Sequence, residues 1–166
     1  MQFKMKKSLI SLVAILFMAS CGSLHNSQEK VTAEQKSAQI QDSIHARTFT
    51  VEFNYVNPMR MPPHYLTTAY TLRLCGDSLV SELPYFGRAY RANPADNDRS
   101  PLSFSGRVGE AKTVKGKKND YTITFKTKNG IELLEYTLNL FSNGQAYLSV
   151  SSSDREPISF NGAIVL

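Results

Sequence analysis

The residues best suited to contact or reaction lie between Leu83 and Tyr90, where Leu-Pro-Tyr-Phe-Gly-Arg-Ala-Tyr sets three aromatic rings around one guanidinium. Pro84 ends the preceding strand and Gly87 permits a tight turn. Exposed, Tyr85, Phe86, Arg88 and Tyr90 make a binding surface, the rings supplying rigid area and Arg88 a planar donor fork. Buried, the rings close one end of a sheet while Arg88 pairs with an acid. A second group is Met59, Met61 and His64, whose soft donors suit copper(I) but whose loop setting equally suits packing at a core edge or contact with solvent. His25, His45 and His64 are too far apart for metal-ligand spacing, so no metal site and no cofactor is expected. There is no Gly-x-Ser-x-Gly elbow and no phosphate-cradling glycine loop. Asp77, Glu82, Glu132 and Glu135 are scattered along strands and turns, where a carboxylate is ordinarily solvated. No catalytic residue emerges, and an acid–base pair would have to be assembled by folding alone.

Cys21 offers a different chemistry. Residues 1–20 have a basic start (Lys4, Lys6, Lys7), an apolar run from Leu9 to Met18 broken only by Ser11, and the small residues Ala19 and Ser20 directly before the cysteine. That is the layout of a secretory signal peptide, and the run is shorter than the roughly 20 residues needed to cross a hydrocarbon core. Met18-Ala19-Ser20-Cys21 resembles the lipobox of bacterial lipoproteins, with Met where Leu is usual. The resemblance implies that the thiol of Cys21 is diacylated, palmitate being one such chain, that residues 1–20 are cut away, and that the new amino terminus is acylated. Each buried methylene contributes about 0.8 kcal/mol, so two or three chains hold a protein on a membrane almost permanently. The expected location is therefore the bacterial cell envelope. Gly22 and Ser23 lack the early acids that some bacteria read as a surface-export signal, which favours a lipid anchor in the outer membrane facing the periplasm.

Loss of the signal also changes the charge argument. Three lysines leave with it and no acid does, so the net charge falls from +5 to +2. A sequence pI near 9.2 then no longer argues for a nucleic-acid partner, and Lys112–Lys118 reads as a solvated turn. Cys75 becomes the only remaining thiol in an oxidising compartment, where it cannot form an internal disulfide. Its place after Leu72 and Leu74 suggests a small, partly buried residue at a strand end. Stability must come from core burial.

The elements that position these residues follow from periodicity. Residues 21–31 are polar and patternless, as suits a lipidated tether. Thr32-Ala33-Glu34-Gln35 has capping-box spacing, and Val31, Ala38, Ile40 and Ile44 supply an apolar stripe for a helix ending near Ala46. Beyond Arg47, short runs rich in Thr, Tyr, Phe, Val and Ile predict strands over 47–56, 67–75, 78–83, 102–108, 110–115, 120–128, 131–141, 145–152 and 157–165. Nearly all connections are hairpin-like. The expected fold is mainly β: one antiparallel β domain, 32–166, barrel-like or sandwich-like, preceded by one N-terminal α-helix.

Two hairpins can be read to register. A two-residue type I′ turn at Asn129-Gly130 would set Phe125 opposite Leu134, Ile123 opposite Tyr136 and Tyr121 opposite Leu138, leaving Thr124 and Glu135 on the wet face. A two-residue turn at Asn143-Gly144 would put Leu148 and Val150 on the wrong face. A three-residue loop, Ser142-Asn143-Gly144, instead pairs Leu138 with Leu148 and Tyr136 with Val150. A further pattern aligns Asp98–Val108 with Asp154–Ile164, and Leu83 to Tyr90 with Leu138 to Tyr147, raising the prospect of two pseudo-repeated meanders.

Asn57-Pro58-Met59-Arg60, Cys75-Gly76-Asp77-Ser78-Leu79, Leu83–Tyr90, Lys115-Gly116-Lys117-Lys118 and Ile158-Ser159-Phe160-Asn161-Gly162, in that order, resemble the family of bacterial envelope proteins catalogued as domain of unknown function 4251. The resemblance spans most of 32–165 and implies a lipoprotein signal but no assigned activity. The expected role is non-enzymatic binding by a membrane-anchored module, with an envelope protein or a small ligand as partner. The alternatives are a small-molecule carrier with a cavity inside a curved sheet, and an envelope hydrolase.

Overall fold

The computed structural model describes residues 24–91, 93–94 and 100–166. Cys21, the signal segment, and Asp98 and Arg99 of the aligned repeat lie outside the described residues. Lys36–Leu166 form one compact unit.

Every expected strand forms. In chain order they are β1 (Thr48–Pro58), β2 (His64–Cys75), β3 (Ser78–Glu82), β4 (Ser103–Arg107), β5 (Ala111–Lys115), β6 (Tyr121–Asn129), β7 (Glu132–Leu140), β8 (Gln145–Ser152) and β9 (Ile158–Val165). They build one antiparallel sheet in the order β4-β3-β2-β1-β9-β8-β7-β6-β5, curled into a half-barrel. A single curled sheet excludes the sandwich-like alternative. The curl brings β4 back toward β6, where Thr127 Oγ1 donates to the Arg107 carbonyl at 2.9 Å and Gly109 N–H to the Lys126 carbonyl at 2.8 Å. The two aligned halves are not equivalent strand for strand. Where the second has β8, the first has the irregular segment after Leu83, with an isolated bridge from Ala89 to Arg155.

Alternation places Phe53, Leu72, Phe125, Leu134, Tyr136, Leu138, Leu148 and Phe160 on the inner face, all essentially inaccessible. Phe125 and Tyr136 stack at 5.1 Å between centroids. The helix α1 (Leu24–His45) contributes Ile40 and Ile44, one turn apart, to the same core. Ala38 is exposed, because two residues' rotation carries it away from the Ile40 face. The helix begins before Thr32, so the capping box does not start it; 24–31 holds good helix formers and neither Gly nor Pro. Two residues beyond its end Arg47 is left-handed at φ 51°; its carbonyl accepts from Gly76 N–H and its guanidinium meets Asp77 at 3.0 Å.

The β7–β8 loop is the expected bulged one: Leu138 pairs with Leu148 and Tyr136 with Val150, with Gly144 at φ +88°. The β6–β7 register differs from expectation by two residues. Asn129 pairs with Glu132, Phe125 with Tyr136 and Ile123 with Leu138. Gly130 is left-handed at φ +59° while Asn129 is not, so the turn centres on Gly130-Ile131 with glycine first, the type II′ pattern. A slip of two keeps every side chain on its expected face. Cys75 is exposed, because Leu72 and Leu74 point inward and the next residue must point out.

At the centre of the sheet β1 carries a bulge. Phe53 pairs with Gly162 and Tyr55 with Asn161, leaving Asn54 as the extra residue. Phe53 and Val56 point inward, while Asn54 and Tyr55 both face out. Gly162 makes this possible, since a Cβ there would stand 2.0 Å from the Glu52 carbonyl oxygen.

Candidate functional site

All loops at one end of the sheet gather around Asp154-Arg155-Glu156, three consecutive charged residues that are each buried. Each holds a different neighbour. The Asp154 carbonyl accepts from Tyr90 N–H at 2.7 Å and Arg91 N–H at 3.3 Å, and its carboxylate faces the Arg91 guanidinium at 3.7 Å. Arg155 donates Nε to Glu132 Oε1 at 2.7 Å and Nη2 to Glu132 Oε2 at 2.6 Å, a two-pronged pair with both side chains out of water. Its guanidinium also lies 5.2 Å from the Tyr85 ring centre. Glu156 accepts from Arg60 Nε on Oε1 and from Arg88 N–H on Oε2 at 3.2 Å, while its own N–H donates to the Arg88 carbonyl at 3.0 Å.

This explains the placement of the four predicted surface residues. Tyr85 and Phe86 are half-buried, and Arg88 and Tyr90 are exposed. The Tyr85 hydroxyl lies 2.9 Å from the Glu156 carbonyl and 3.1 Å from that of Arg88; its single proton serves one at a time. Burial pushes this phenol up to about 12, opposed by the nearby Arg155 charge. Gly87 is required beside it, since a Cβ there would come within 2.6 Å of the Tyr85 oxygen. Phe86 packs edge-on to His64 at 5.1 Å, which joins the 58–64 loop to the same structure. The Arg88 side chain forms no ion pair among the described residues, so the expected pairing with an acid is made instead by its backbone N–H.

Glu132 stands as a correction to the solvated-carboxylate expectation, and Glu156, which the sequence did not single out, is buried as well. Burial alone would raise the Glu132 carboxyl; hydrogen bonds from Arg155, Ser152 and Asn93 outweigh it and hold it below the usual carboxylate range. Glu156 is likewise held low, burial being outweighed by the Arg88 N–H and the Arg60 guanidinium. Alternation could have revealed Glu132, which shares parity with Leu134 and Tyr136. Nothing local points to its partner 23 residues on.

The other groups do not converge. Met59 and Met61 are exposed, and His64 Nδ1 sits 3.1 Å from the Pro62 carbonyl. Among the described residues no group of three His, Cys, Asp or Glu could hold a metal ion. The space enclosed by Tyr85, Leu102, Leu134, Val150 and Ile158 has no room for a water molecule, which counts against a carrier cavity there. Among the described residues no helix is long and apolar enough to cross a membrane.

Fold and loop together define a single-sheet β half-barrel whose core takes Ile40 and Ile44 from the end of a helix, with a braced aromatic loop at one end. The chain belongs to the family described as domain of unknown function (DUF4251), whose model matches residues 31–164. It is similar to the crystal structure of a DUF4251 family protein from Bacteroides eggerthii DSM 20697, with 14% identity, 78% of this chain and 87% of that chain covered, and a TM-score of 0.57. Likeness at that identity speaks for the fold alone. No curated protein matches the chain.

Proposed function

We propose that this chain is a lipid-anchored protein of the bacterial cell envelope, acylated at Cys21 and facing the periplasm from the outer membrane, that acts as a non-enzymatic binding module. The observation that carries the binding role is the investment of three buried charges in bracing a loop whose outward Arg88 and Tyr90 side chains make no hydrogen bond or ion pair among the described residues. Tyr85 and Phe86 act as struts, and Arg88 and Tyr90 are presented to solvent on a fixed backbone. Arg60 and Arg91, exposed beside them, make the face cationic, while Glu156 and Asp154 are committed from below. Such a face fits a carboxylate-bearing surface of another envelope protein, because preformed guanidinium forks and rigid rings lose little entropy on docking. The anchor is supported by the signal layout and by Met18-Ala19-Ser20-Cys21.

The test is crosslinking in intact cells followed by capture of the acylated protein, set against an Arg88→Ala, Tyr90→Ala variant. A partner that disappears in the variant and is released by added salt supports the reading. An unchanged set of partners refutes it. Palmitate labelling lost in Cys21→Ser, with the label in the outer-membrane fraction, supports the anchor; label-free wild-type protein overturns it.

A further inference from the structure

We infer that the outer face of the sheet carries a second binding site, for a neutral oligosaccharide, in the groove lined by Asn54, Phe141, Gln145, Tyr147 and Asn161 together with Gly162. The groove has a volume of about 560 Å³ and lies near the β7–β8 turn, at the opposite end of the strands from the braced loop, so the inference does not depend on that loop's role.

Three features point to this ligand class. The first is how the groove is made. The β1 bulge adds Asn54 to the outward row, and Gly162 lets β1 approach β9 closely enough for it. Bulges commonly re-aim side chains beside functional sites.

The second feature is a set of uncommitted polar groups. Neither the Asn54 amide nor the Tyr147 hydroxyl hydrogen-bonds to any described residue. Asn161 accepts from Asn57 Nδ2 through Oδ1 at 3.2 Å, which orients its own amide nitrogen while leaving that nitrogen free to donate. An amide offers a donor and an acceptor side by side, which matches the adjacent hydroxyls of a sugar ring.

The third feature is charge and shape. None of the eight groove-lining residues is charged, nor is any outward residue of β8 or β9. The charged residues that come near it are Glu52, opposite Ala163, Asp120, whose Oδ1 accepts from Ser142 N–H, and Lys36, whose side chain lies against Gly144; none of them lines the groove, and the single cation is balanced by the two acids. A nucleic acid or an anionic lipid would need cations here. Phe141 and Tyr147 are each a little over one-third exposed, presenting ring surface to the C–H faces of a pyranose. Tyr147 also begins a cross-strand row: it pairs with Asn161, which pairs with Tyr55, which pairs with Tyr65. With strands about 4.8 Å apart, Tyr147 and Tyr55 stand roughly 10 Å from each other, comparable to the length of a disaccharide. The Tyr55 and Tyr65 rings then meet edge to face at 4.9 Å. The row suits an extended neutral chain lying across the strands.

The test uses the full-length protein in a detergent without a sugar headgroup, titrated with maltohexaose, cellohexaose, mannohexaose and chitohexaose, and with polygalacturonate as the charged comparison. Side-chain amide resonances of Asn54, Gln145 and Asn161 report the site directly. The expected result is a saturable shift of these amides with at least one neutral hexasaccharide. Tyr147→Ala should weaken that binding about tenfold, and Asn54→Ala several-fold, with unfolding midpoints unchanged. Arg88→Ala should leave it intact. The inference is overturned if no neutral hexasaccharide shifts the three amides, if polygalacturonate does so more strongly, or if binding survives Tyr147→Ala but not Arg88→Ala.

Discussion

Replacing Arg155 with methionine tests the bracing of the loop most directly. The substitution keeps an unbranched apolar stem and removes the guanidinium, leaving the Glu132 carboxylate with no counter-charge at a site where its side chain has no solvent exposure. Breaking a buried pair from one side costs about 3–5 kcal/mol, since the remaining ion can neither rehydrate nor find a new partner. With a urea slope of about 2 kcal/mol per molar, the unfolding midpoint should fall by roughly 2 M. Far-UV circular dichroism and tyrosine fluorescence can follow it, because the chain has no tryptophan. The double variant Glu132→Leu, Arg155→Met removes both charges. It should recover part of the loss, retaining a deficit of about 1 kcal/mol for each of the Asn93 and Ser152 hydrogen bonds that end on Glu132. A shift below about 0.5 M for Arg155→Met, or a double variant less stable than the single one, would refute the reasoning.

Other outcomes follow from the same structure. Glu132 and Glu156 both titrate below the ordinary value of 4.5, so the unfolded chain takes up protons first as the pH falls; stability should be full above 4.5, decline as pH drops through the lower folded values, and decline less steeply in Glu132→Gln. Gly162→Ala should destabilise by at least about 2 kcal/mol in thermal or urea unfolding, because its Cβ would collide with the Glu52 carbonyl. Tyr85→Phe should cost about 1 kcal/mol through its lost hydrogen bond. Arg88→Ala and Tyr90→Ala, changed outside any described side-chain bond, should stay within about 0.5 kcal/mol of the parent. Native Cys75 should react with a thiol reagent at one equivalent per chain when Cys21 is acylated, whereas two equivalents would mean an unmodified Cys21.

The strands were legible because a half-buried antiparallel sheet writes its inner face as strict alternation, and the β7–β8 loop could be chosen because the rival turn inverted that face. The β6–β7 turn gave no such contradiction: a two-residue slip preserves parity, so only the backbone conformation of Gly130 distinguishes the registers. The loop was legible as a group of rings and a guanidinium, but not its division into struts and presented residues. That division depends on Asp154, Arg155 and Glu156, which read along the chain as a polar turn and become interior only when the 83–91 and 58–64 loops cover them. The outer-face groove was invisible for a similar reason. Asn54 and Asn161 are more than a hundred positions apart and meet through a bulge that only Gly162 accommodates.

The pairing of β1 with β9 sets the order in which this protein can be completed. Val51 lies opposite Ile164, so the central seam joins the first strand to the last. The meander β1–β4 and the meander β6–β9 can each form locally, but neither encloses the whole core without the other. A chain threaded through a membrane from its amino end would thus remain open until its final strand had crossed. Closing so long a loop slows folding far more than it weakens the folded state. The late seam leaves two exposed sheet edges until β9 pairs with β1, and on the proposed export route that is the moment at which a chaperone would have most to hold.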